Sequence, residues 1–199
     1  MGRTAKQAVF FMLTFWAQGA FAATVLQLGM QDLLERSVFI FEGRVQEMLM
    51  RPNGMGVAHT YIKFQVLDVL KGNPHVETPL VLSFLGGRLG GAVLQVVGQS
   101  RIEPGEHGVY FVESLDKPQV NPFVGEDQGR FVIKDGKVYT AQGLRVGDIK
   151  RVSAPAVVMA SRLVATGVET NEGGGAMPLG AFKEKIRGFL QEMPSGTHQ

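Results

Sequence analysis

Histidine, serine and cysteine are the residue types that would first indicate catalysis or metal binding, and this chain contains no cysteine. Its histidines do not form HExxH or another spacing that places two ligands on one helix face. Each is flanked by turn or loop residues, so we interpret all of them as exposed loop histidines: His59, His75, His107 and His198. Ser83 and Ser100 lack the GxSxG nucleophile elbow. The sequence therefore predicts no catalytic residue, no metal ligand and no cofactor, and we expect a protein that is not an enzyme.

A glycine-rich run, Gly86 to Gly91, is the most distinctive local feature of the chain. A phosphate-binding loop would end in Gly-Lys-Ser/Thr and lead into a helix, whereas a strand-like run follows here. Paired glycines at strand ends mark tight corners, because glycine tolerates positive φ. We predict that this loop and the Arg101–Gly108 turn form one binding surface. The candidate residues are Gly86, Gly87, Arg88, Gly90, Gly91, Arg101, Glu103 and Glu106.

Acidic and basic side chains in predicted loops give weaker signals. The pairs Glu103/Glu106 and Glu126-Asp127 offer oxygen ligands that could assist Ca²⁺ binding, but no EF-hand-like ladder of ligands accompanies them, so we interpret them as solvated turns. Arginine is favoured at recognition surfaces, and four arginines in the predicted β region are of interest for that reason. They are Arg44, Arg88, Arg101 and Arg130.

The N-terminal segment resembles an export signal. Arg3 and Lys6 precede an apolar run, Ala8 to Trp16, and Ala20-Phe21-Ala22 fits the small-x-small cleavage rule. The alternative is a membrane anchor, but the run is shorter than the about 20 residues that span a bilayer. We predict a cleavable signal peptide over residues 1–22, a mature N-terminus at Ala23, a periplasmic or secreted location, and no stable membrane span after cleavage.

Composition limits the classes of partner. The chain has 20 Lys+Arg and 18 Asp+Glu, and the signal contains two basic residues and no acidic ones, which leaves 18 against 18. A formally neutral mature chain lacks the electrostatic footprint of a nucleic-acid-binding protein. Its 199 − 22 = 177 residues suit one domain with appendages.

Hydrophobic periodicity predicts a mainly β protein. We expect a short helix at Met30–Arg36 and about seven antiparallel strands by Asp148, which form a barrel or sandwich. Asp135-Gly136 lies between two apolar runs and predicts a hairpin. The predicted organisation is a β-barrel domain over 23–150, a linker or uncertain segment over 151–178, an amphipathic helix over 179–193 and a disordered tail over 194–199. For the helix, docking on the barrel is favoured over binding a partner or a membrane surface.

The order of elements resembles a widespread group of exported bacterial proteins of unassigned function. The resemblance lies in Ser37–Val45, in Phe64–Gly72 with its VLKG ending, in Gly90-Gly91 with Gly105-Glu106, and in Val124–Phe131. The chain is also distantly similar to the netrin-type module of the tissue inhibitors of metalloproteinases, which implies an OB-like five-stranded barrel. In those inhibitors the N-terminal cysteine chelates the zinc of the target protease. Here the predicted mature end is Ala23-Thr24-Val25.

Two functions follow as expectations. The first is an exported, non-enzymatic binding module that recognises a protein or a surface glycan through loops of the barrel. The second is a metalloprotease inhibitor, or a protease-associated partner, that acts through its mature N-terminus at Ala23 and Thr24. An exported enzyme without a recognisable motif is a third, less favoured possibility.

Overall fold

Two long antiparallel strands form the centre of the structure. The computed structural model describes residues 26–75, 79–94, 100–115, 119–153 and 164–193. The helices and strands in chain order are α1 (Met30–Arg36), β1 (Phe39–Pro52), β2 (Ala58–Lys71), β3 (Leu80–Leu85), β4 (Gly87–Leu89), β5 (Ala92–Leu94), β6 (His107–Val112), β7 (Arg130–Lys134), β8 (Lys137–Thr140), β9 (Val146–Ile149), β10 (Val168–Thr170) and α2 (Leu179–Gln191). The predicted helix at Met30–Arg36 is confirmed with these bounds.

The main sheet has six strands in the order β3-β2-β1-β6-β7-β8, and all of its pairings are antiparallel. β3 and β8 are its edges, and among the described residues they do not pair with each other, so the predicted closed barrel is not found. The mainly β, antiparallel character with one helix near each end is confirmed. Two two-stranded sheets, β4-β5 and β9-β10, accompany the main sheet.

The pairing of β1 changes along its length. Residues Phe39 to Arg44 pair with β6 on one side, whereas pairing with β2 continues to Pro52. The outer half of the β1–β2 hairpin therefore extends beyond β6. The register of β1 with β2 shifts between Glu42 and Gly43, which marks a bulge. A Cβ at this position would lie 2.6 Å from the Phe41 ring, so the close approach requires glycine.

Each face of the sheet carries its own apolar core. One face holds an aromatic cluster in which Phe41, Phe64 and Tyr110 contact one another with ring centroids 4.9–5.5 Å apart. Phe123 and the edge residue Phe84 close this cluster, with centroids 5.2 Å apart, so the sheet curls around it. The other face packs against α1, α2 and β9. Burial on both faces explains the near-continuous apolar runs of β1 and β6.

The described part of the segment predicted as a linker or uncertain segment contains a strand. β10 pairs with β9, and Thr166 forms a parallel bridge with Gly29 immediately before α1. The Met30 N–H donates to the Thr166 carbonyl at 2.9 Å, and the Thr166 N–H donates to the Leu28 carbonyl at 2.7 Å. These bonds attach the segment just before β10 to the segment that leads into α1. The predicted signal peptide and tail lie outside the described residues.

The C-terminal helix docks on the sheet, as its apolar stripe predicts. Phe182 and Ile186 are fully buried, and the Phe182 ring lies 4.9 Å from that of Phe131 on β7. Apolar residues three and four apart share one face of a helix, so these side chains enter the core together. Neither helix in the described ranges has the length and apolarity needed to cross a bilayer.

Candidate functional site

A cavity of about 370 Å³ opens between the turn at residues 100–106 and the β7–β8 hairpin. The turn is fastened to β1, because the Val45 N–H donates to the Glu106 carbonyl at 2.8 Å and the Gly105 N–H donates to the Val45 carbonyl at 2.9 Å. Three predicted site residues line the cavity: Arg101, Glu103 and Glu106. The structure therefore brings together the part of the predicted surface that lies on this turn.

A buried ion pair supports the wall of this cavity. The Arg130 guanidinium donates to both carboxylate oxygens of Glu106, from Nε at 2.9 Å and from Nη2 at 2.6 Å. Nη1 donates to the Ser100 carbonyl at 2.9 Å, and Nη2 also donates to the Arg101 carbonyl at 2.8 Å. Both charged side chains are at most 9% exposed. The interpretation of Glu106 as part of a solvated turn is wrong, because this carboxylate is desolvated and held by a fork-to-fork contact with arginine.

Asp127 and Tyr110 complete this buried polar cluster. Asp127 is 3% exposed and accepts a hydrogen bond from the Ser100 N–H at 2.7 Å, so it is also not a solvated turn residue. The Tyr110 hydroxyl donates to Glu106 at 3.2 Å. Burial, together with the adjacent Glu106 charge, raises the pKa of Tyr110 well above its ordinary value. The cluster fixes the turn, because four of the five N–H donors of Arg130 are hydrogen-bonded within it and Asp127 Oδ1 lies 3.7 Å from Arg130 Nη1.

The mouth of the cavity carries an excess of positive charge. Arg44, Arg101 and Lys134 are exposed and line it, together with the exposed carboxylate of Glu103. No acidic side chain among the described residues forms an ion pair with any of the three cations. Because Arg130 neutralises Glu106, the unpaired charges at the mouth are three positive against one negative. Such an arrangement attracts anionic groups.

The glycine-rich run does not belong to this cavity. Gly87–Leu89 and Ala92–Leu94 form the small β4–β5 hairpin, whose turn is Gly90-Gly91 with φ of 55° and 90°. This hairpin lies against the outer part of the β1–β2 hairpin, where the Gly86 N–H donates to the Ala58 carbonyl at 2.9 Å. Five predicted site residues lie there, apart from the cavity lining: Gly86, Gly87, Arg88, Gly90 and Gly91. The interpretation of Gly86–Gly91 as a loop is corrected, because β4 (Gly87–Leu89) forms within this run.

Two histidines occupy β strands, contrary to the loop interpretation. His59 on β2 is 7% exposed, with Nδ1 2.9 Å from Ser83 Oγ and Nε2 3.2 Å from Asn53 Nδ2. Asn53 Oδ1 already accepts from the Met55 and Val57 N–H groups, so its Nδ2 donates to His59 Nε2. The neutral ring therefore carries its proton on Nδ1 and donates to Ser83. That tautomer does not act as a base toward the serine hydroxyl.

The second histidine connects the cavity to α2. His107 lines the cavity, and its Nε2 lies 2.8 Å from Glu42 Oε1. The other oxygen of Glu42 accepts a hydrogen bond from Lys183 at 2.5 Å, and Lys183 also bonds Asp68 at 2.8 Å. Burial alone would raise the pKa of Glu42, but Lys183 and His107 outweigh it and hold this pKa below its ordinary value. Burial would likewise raise the pKa of Asp68, but Lys183 and Arg187 outweigh it and hold this pKa below its ordinary value.

Sequence reasoning missed His107 and Lys134 as cavity residues. Cross-strand register brings His107 opposite Arg44, and hairpin pairing places Lys134 beside the turn at Asp135-Gly136. The Asp135-Gly136 hairpin is visible in the sequence, but the pairing of β1 with β6 depends on contacts that are distant in the chain. In the described ranges no group of three or more His, Asp or Glu residues is placed to hold a metal ion. Ala23 and Thr24 lie outside those ranges.

Compared with protein-family models, with curated proteins and with solved structures, the chain matches none of them.

Proposed function

We propose that this chain is an exported, non-enzymatic binding module whose basic cavity recognises an acidic group on a protein or on a surface glycan. The observation that carries the proposal is the set of three unpaired cations, Arg44, Arg101 and Lys134, around an opening of about 370 Å³. Arginine presents a planar fork that matches a carboxylate, which favours carboxylate ligands over neutral ones.

The rigid frame of the cavity also supports a binding role. The turn that carries Arg101 is held by backbone bonds to Val45 and by the buried Glu106–Arg130 pair. A site held in one conformation loses little conformational entropy when a ligand binds, so each contact contributes more of its energy to affinity. The exposed Arg101 on this rigid turn is therefore suited to bind a ligand.

The fold and the predicted export signal agree with such a role. We propose that the curled sheet is a partly open, OB-like barrel, because residues of the edge strand β3 and of β6 share one aromatic core. OB folds bind ligands at their open face and connecting loops, so a recognition function fits by analogy. Export rests on Arg3, Lys6, the apolar run and Ala20-Phe21-Ala22.

Calorimetric titration with two acidic probes tests the proposal. Oligogalacturonate represents an acidic glycan, and a polyglutamate peptide represents an acidic protein segment. We expect one of the two to bind with an affinity that falls as salt is added, and Arg101→Gln to weaken it about tenfold, as expected for loss of a charged hydrogen bond. Arg36→Gln, an exposed cation on α1, is the matched control and leaves affinity unchanged.

The identity of the probe that binds distinguishes a glycan partner from a protein partner. If neither probe binds at low salt, or if Arg36→Gln and Arg101→Gln weaken binding equally, the cavity is not the recognition site.

A further inference from the structure

The outer end of the β1–β2 hairpin presents apolar side chains to solvent, and the β4–β5 hairpin adds to the same end of the molecule. Met55 at the turn of the β1–β2 hairpin is 84% exposed. The exposed apolar side chains of both hairpins form a surface that we call the apolar tip: Leu49, Met50, Met55, Val57, Val93 and Leu94. Successive residues of a strand point to opposite faces, so Leu49 and Met50 expose apolar side chains on both faces of this end of the hairpin. Exposed apolar side chains gathered at one end of a folded domain mark an interaction surface.

Four of the five N–H groups from Asn53 to Val57 donate hydrogen bonds within this hairpin turn. Asn53 Oδ1 accepts from the N–H groups of Met55 and Val57 at 2.9 and 3.0 Å. The Gly56 N–H donates to the Asn53 carbonyl at 3.0 Å, and the Asn53 N–H donates to the Val57 carbonyl at 2.8 Å. Pro52 has no N–H to satisfy. A turn with its donors satisfied internally enters a region of low water content without a large desolvation cost.

The charges around the apolar tip have one sign. No Asp or Glu occurs between Met48 and Leu67, or between Pro79 and Ile102. Arg51 and Arg88 flank the exposed apolar side chains, and the Arg51 guanidinium lies over the Tyr61 ring at 4.3 Å. Lys63, farther along β2, is paired with Glu47. The tip therefore combines apolar side chains with unpaired arginines and lacks carboxylates that an anionic surface would repel.

We propose that the apolar tip inserts shallowly into the surface of an anionic lipid bilayer, with Met55 in the apolar boundary and Arg51 and Arg88 at the lipid phosphates. Apolar burial and attraction of basic residues to anionic headgroups add in this kind of interfacial binding. A second copy of the chain fits less well, because a two-fold contact would place arginines against arginines with no acidic residue to offset them.

Sedimentation with lipid vesicles tests the inference on the full mature chain. Vesicles of phosphatidylcholine are compared with vesicles of equal parts phosphatidylcholine and phosphatidylglycerol, at low and high salt. We expect binding to the mixed vesicles that weakens with salt. Arg88→Gln lowers the partition coefficient about fivefold, the equivalent of about 1 kcal/mol for one basic residue at an anionic surface. Arg88→Lys restores it.

A pair of matched glutamate substitutions tests the apolar contribution. Met55→Glu places a charge at the exposed turn. Leu67→Glu places it on β2 about 30 Å from the tip, because Leu67 lies nine residues beyond Ala58, where β2 begins, at about 3.3 Å per residue. Leu67 is 45% exposed, so both variants leave the core unchanged, and equal unfolding midpoints confirm this. We expect Met55→Glu to reduce binding to mixed vesicles about tenfold, since a buried methionine is worth about 1.5–3 kcal/mol, and Leu67→Glu to have little effect.

Three outcomes would overturn the inference. The wild-type protein fails to sediment with mixed vesicles at low salt, or the two glutamate variants bind equally well. Alternatively, sedimentation velocity shows that Met55→Glu dissociates a dimer, which assigns the tip to a second copy of the chain. None of these outcomes affects the acidic-probe titration of the basic cavity, so the two proposals fail independently.

Discussion

Two arginines at the same cavity have different surroundings. Arg130 is 3% exposed, and its guanidinium donates hydrogen bonds to Glu106 and to the carbonyls of the 100–106 turn. Arg101 is exposed, and its side chain forms no ion pair with any described residue. The buried arginine therefore fixes the turn, whereas the exposed one remains available to a ligand. A guanidinium contributes to recognition only when the fold leaves its donors free.

Arg130→Gln is expected to destabilise the protein by about 3 kcal/mol, because it leaves the buried Glu106 carboxylate without its partner. Arg101→Gln changes the free energy of unfolding by about 0.5 kcal/mol or less, as exposed substitutions generally do. Urea unfolding of the two variants beside the wild type measures both effects. Equal losses would show that the Glu106–Arg130 pair does not hold the turn.

The sequence identifies these residues by type but not by burial. Glu103 and Glu106 lie three apart in one turn, and nothing in their neighbours shows that one is exposed and the other desolvated. The difference arises because Tyr110 and Arg130, from β6 and β7, meet the side chain of Glu106. His59 illustrates the same limit, since its partners Asn53 and Ser83 reach it through a turn and a strand pairing.

At the scale of elements, α2 is attached by two different kinds of contact. Its apolar face inserts Phe182 and Ile186 into the core. At one side of this face, Lys183 reaches Glu42 on β1 and Asp68 on β2, while Arg187, one turn later, also bonds Asp68 at 2.6 Å. Residues four apart on a helix lie on the same face, so both cations meet the sheet together. The ion pairs therefore fix the direction of a helix that the apolar contacts hold in place.

Lys183→Met is expected to lower the free energy of unfolding by about 2 kcal/mol, because methionine keeps the apolar stem but leaves Glu42 and Asp68 short of a charged partner. Lys185→Met on the same helix is the control. Its ion pair with Asp148 is more exposed than that of Lys183, so removing it costs about 0.5 kcal/mol or less. Thermal or urea unfolding compares them, and indistinguishable stabilities would contradict the proposed attachment.

Strands and helices follow from the sequence where periodicity and turn chemistry agree. The predicted helix at Met30–Arg36 and the hairpin predicted at Asp135-Gly136, between β7 and β8, are confirmed. β4 is not predicted from the sequence because glycine is depleted in strands, so a short hairpin that contains several glycines has the composition of a loop. β10 is not predicted either, because its three residues form a strand by pairing with β9, and no local sequence pattern indicates that contact.

For the whole molecule, the sequence predicts a barrel, and no closed barrel is found among the described residues. Strand count and spacing suit a barrel, and the sheet does curl around the aromatic core of Phe41, Phe64, Tyr110 and Phe123. Closure would also require the edge strands β3 and β8 to pair, which the described residues do not do. Instead, α1, α2 and β9 pack on the second face, so the two cores share one sheet. The number of strands predicts an antiparallel fold but does not determine which edges meet.

The attachment of α2 to the sheet makes the stability of the whole molecule depend on pH at both extremes. The pKa values of Glu42 and Asp68 are held below their ordinary 4.5 and 3.8, so the stability that they contribute is present above those values and is lost as pH falls through the folded-state pKa values. For Lys183, burial would lower the pKa, but Asp68 and Glu42 raise it above 10.5. Its contribution is therefore complete below 10.5 and is lost as pH rises through the folded-state pKa.

The difference in unfolding free energy between wild type and Lys183→Met isolates the contribution of the Lys183 ion pairs, because the other titrating groups are common to both proteins. Glu126 is one of them: burial and the neighbouring Asp127 raise its pKa, so its contribution to the acid range has the opposite sign. We expect the difference to be constant near neutral pH and to shrink as Glu42 and Asp68 become protonated. It shrinks again above pH 10.5 as Lys183 loses its charge. Urea unfolding across this range measures it, and a difference that stays constant into the acid range would mean that the ion pairs of Lys183 with Glu42 and Asp68 do not attach the helix.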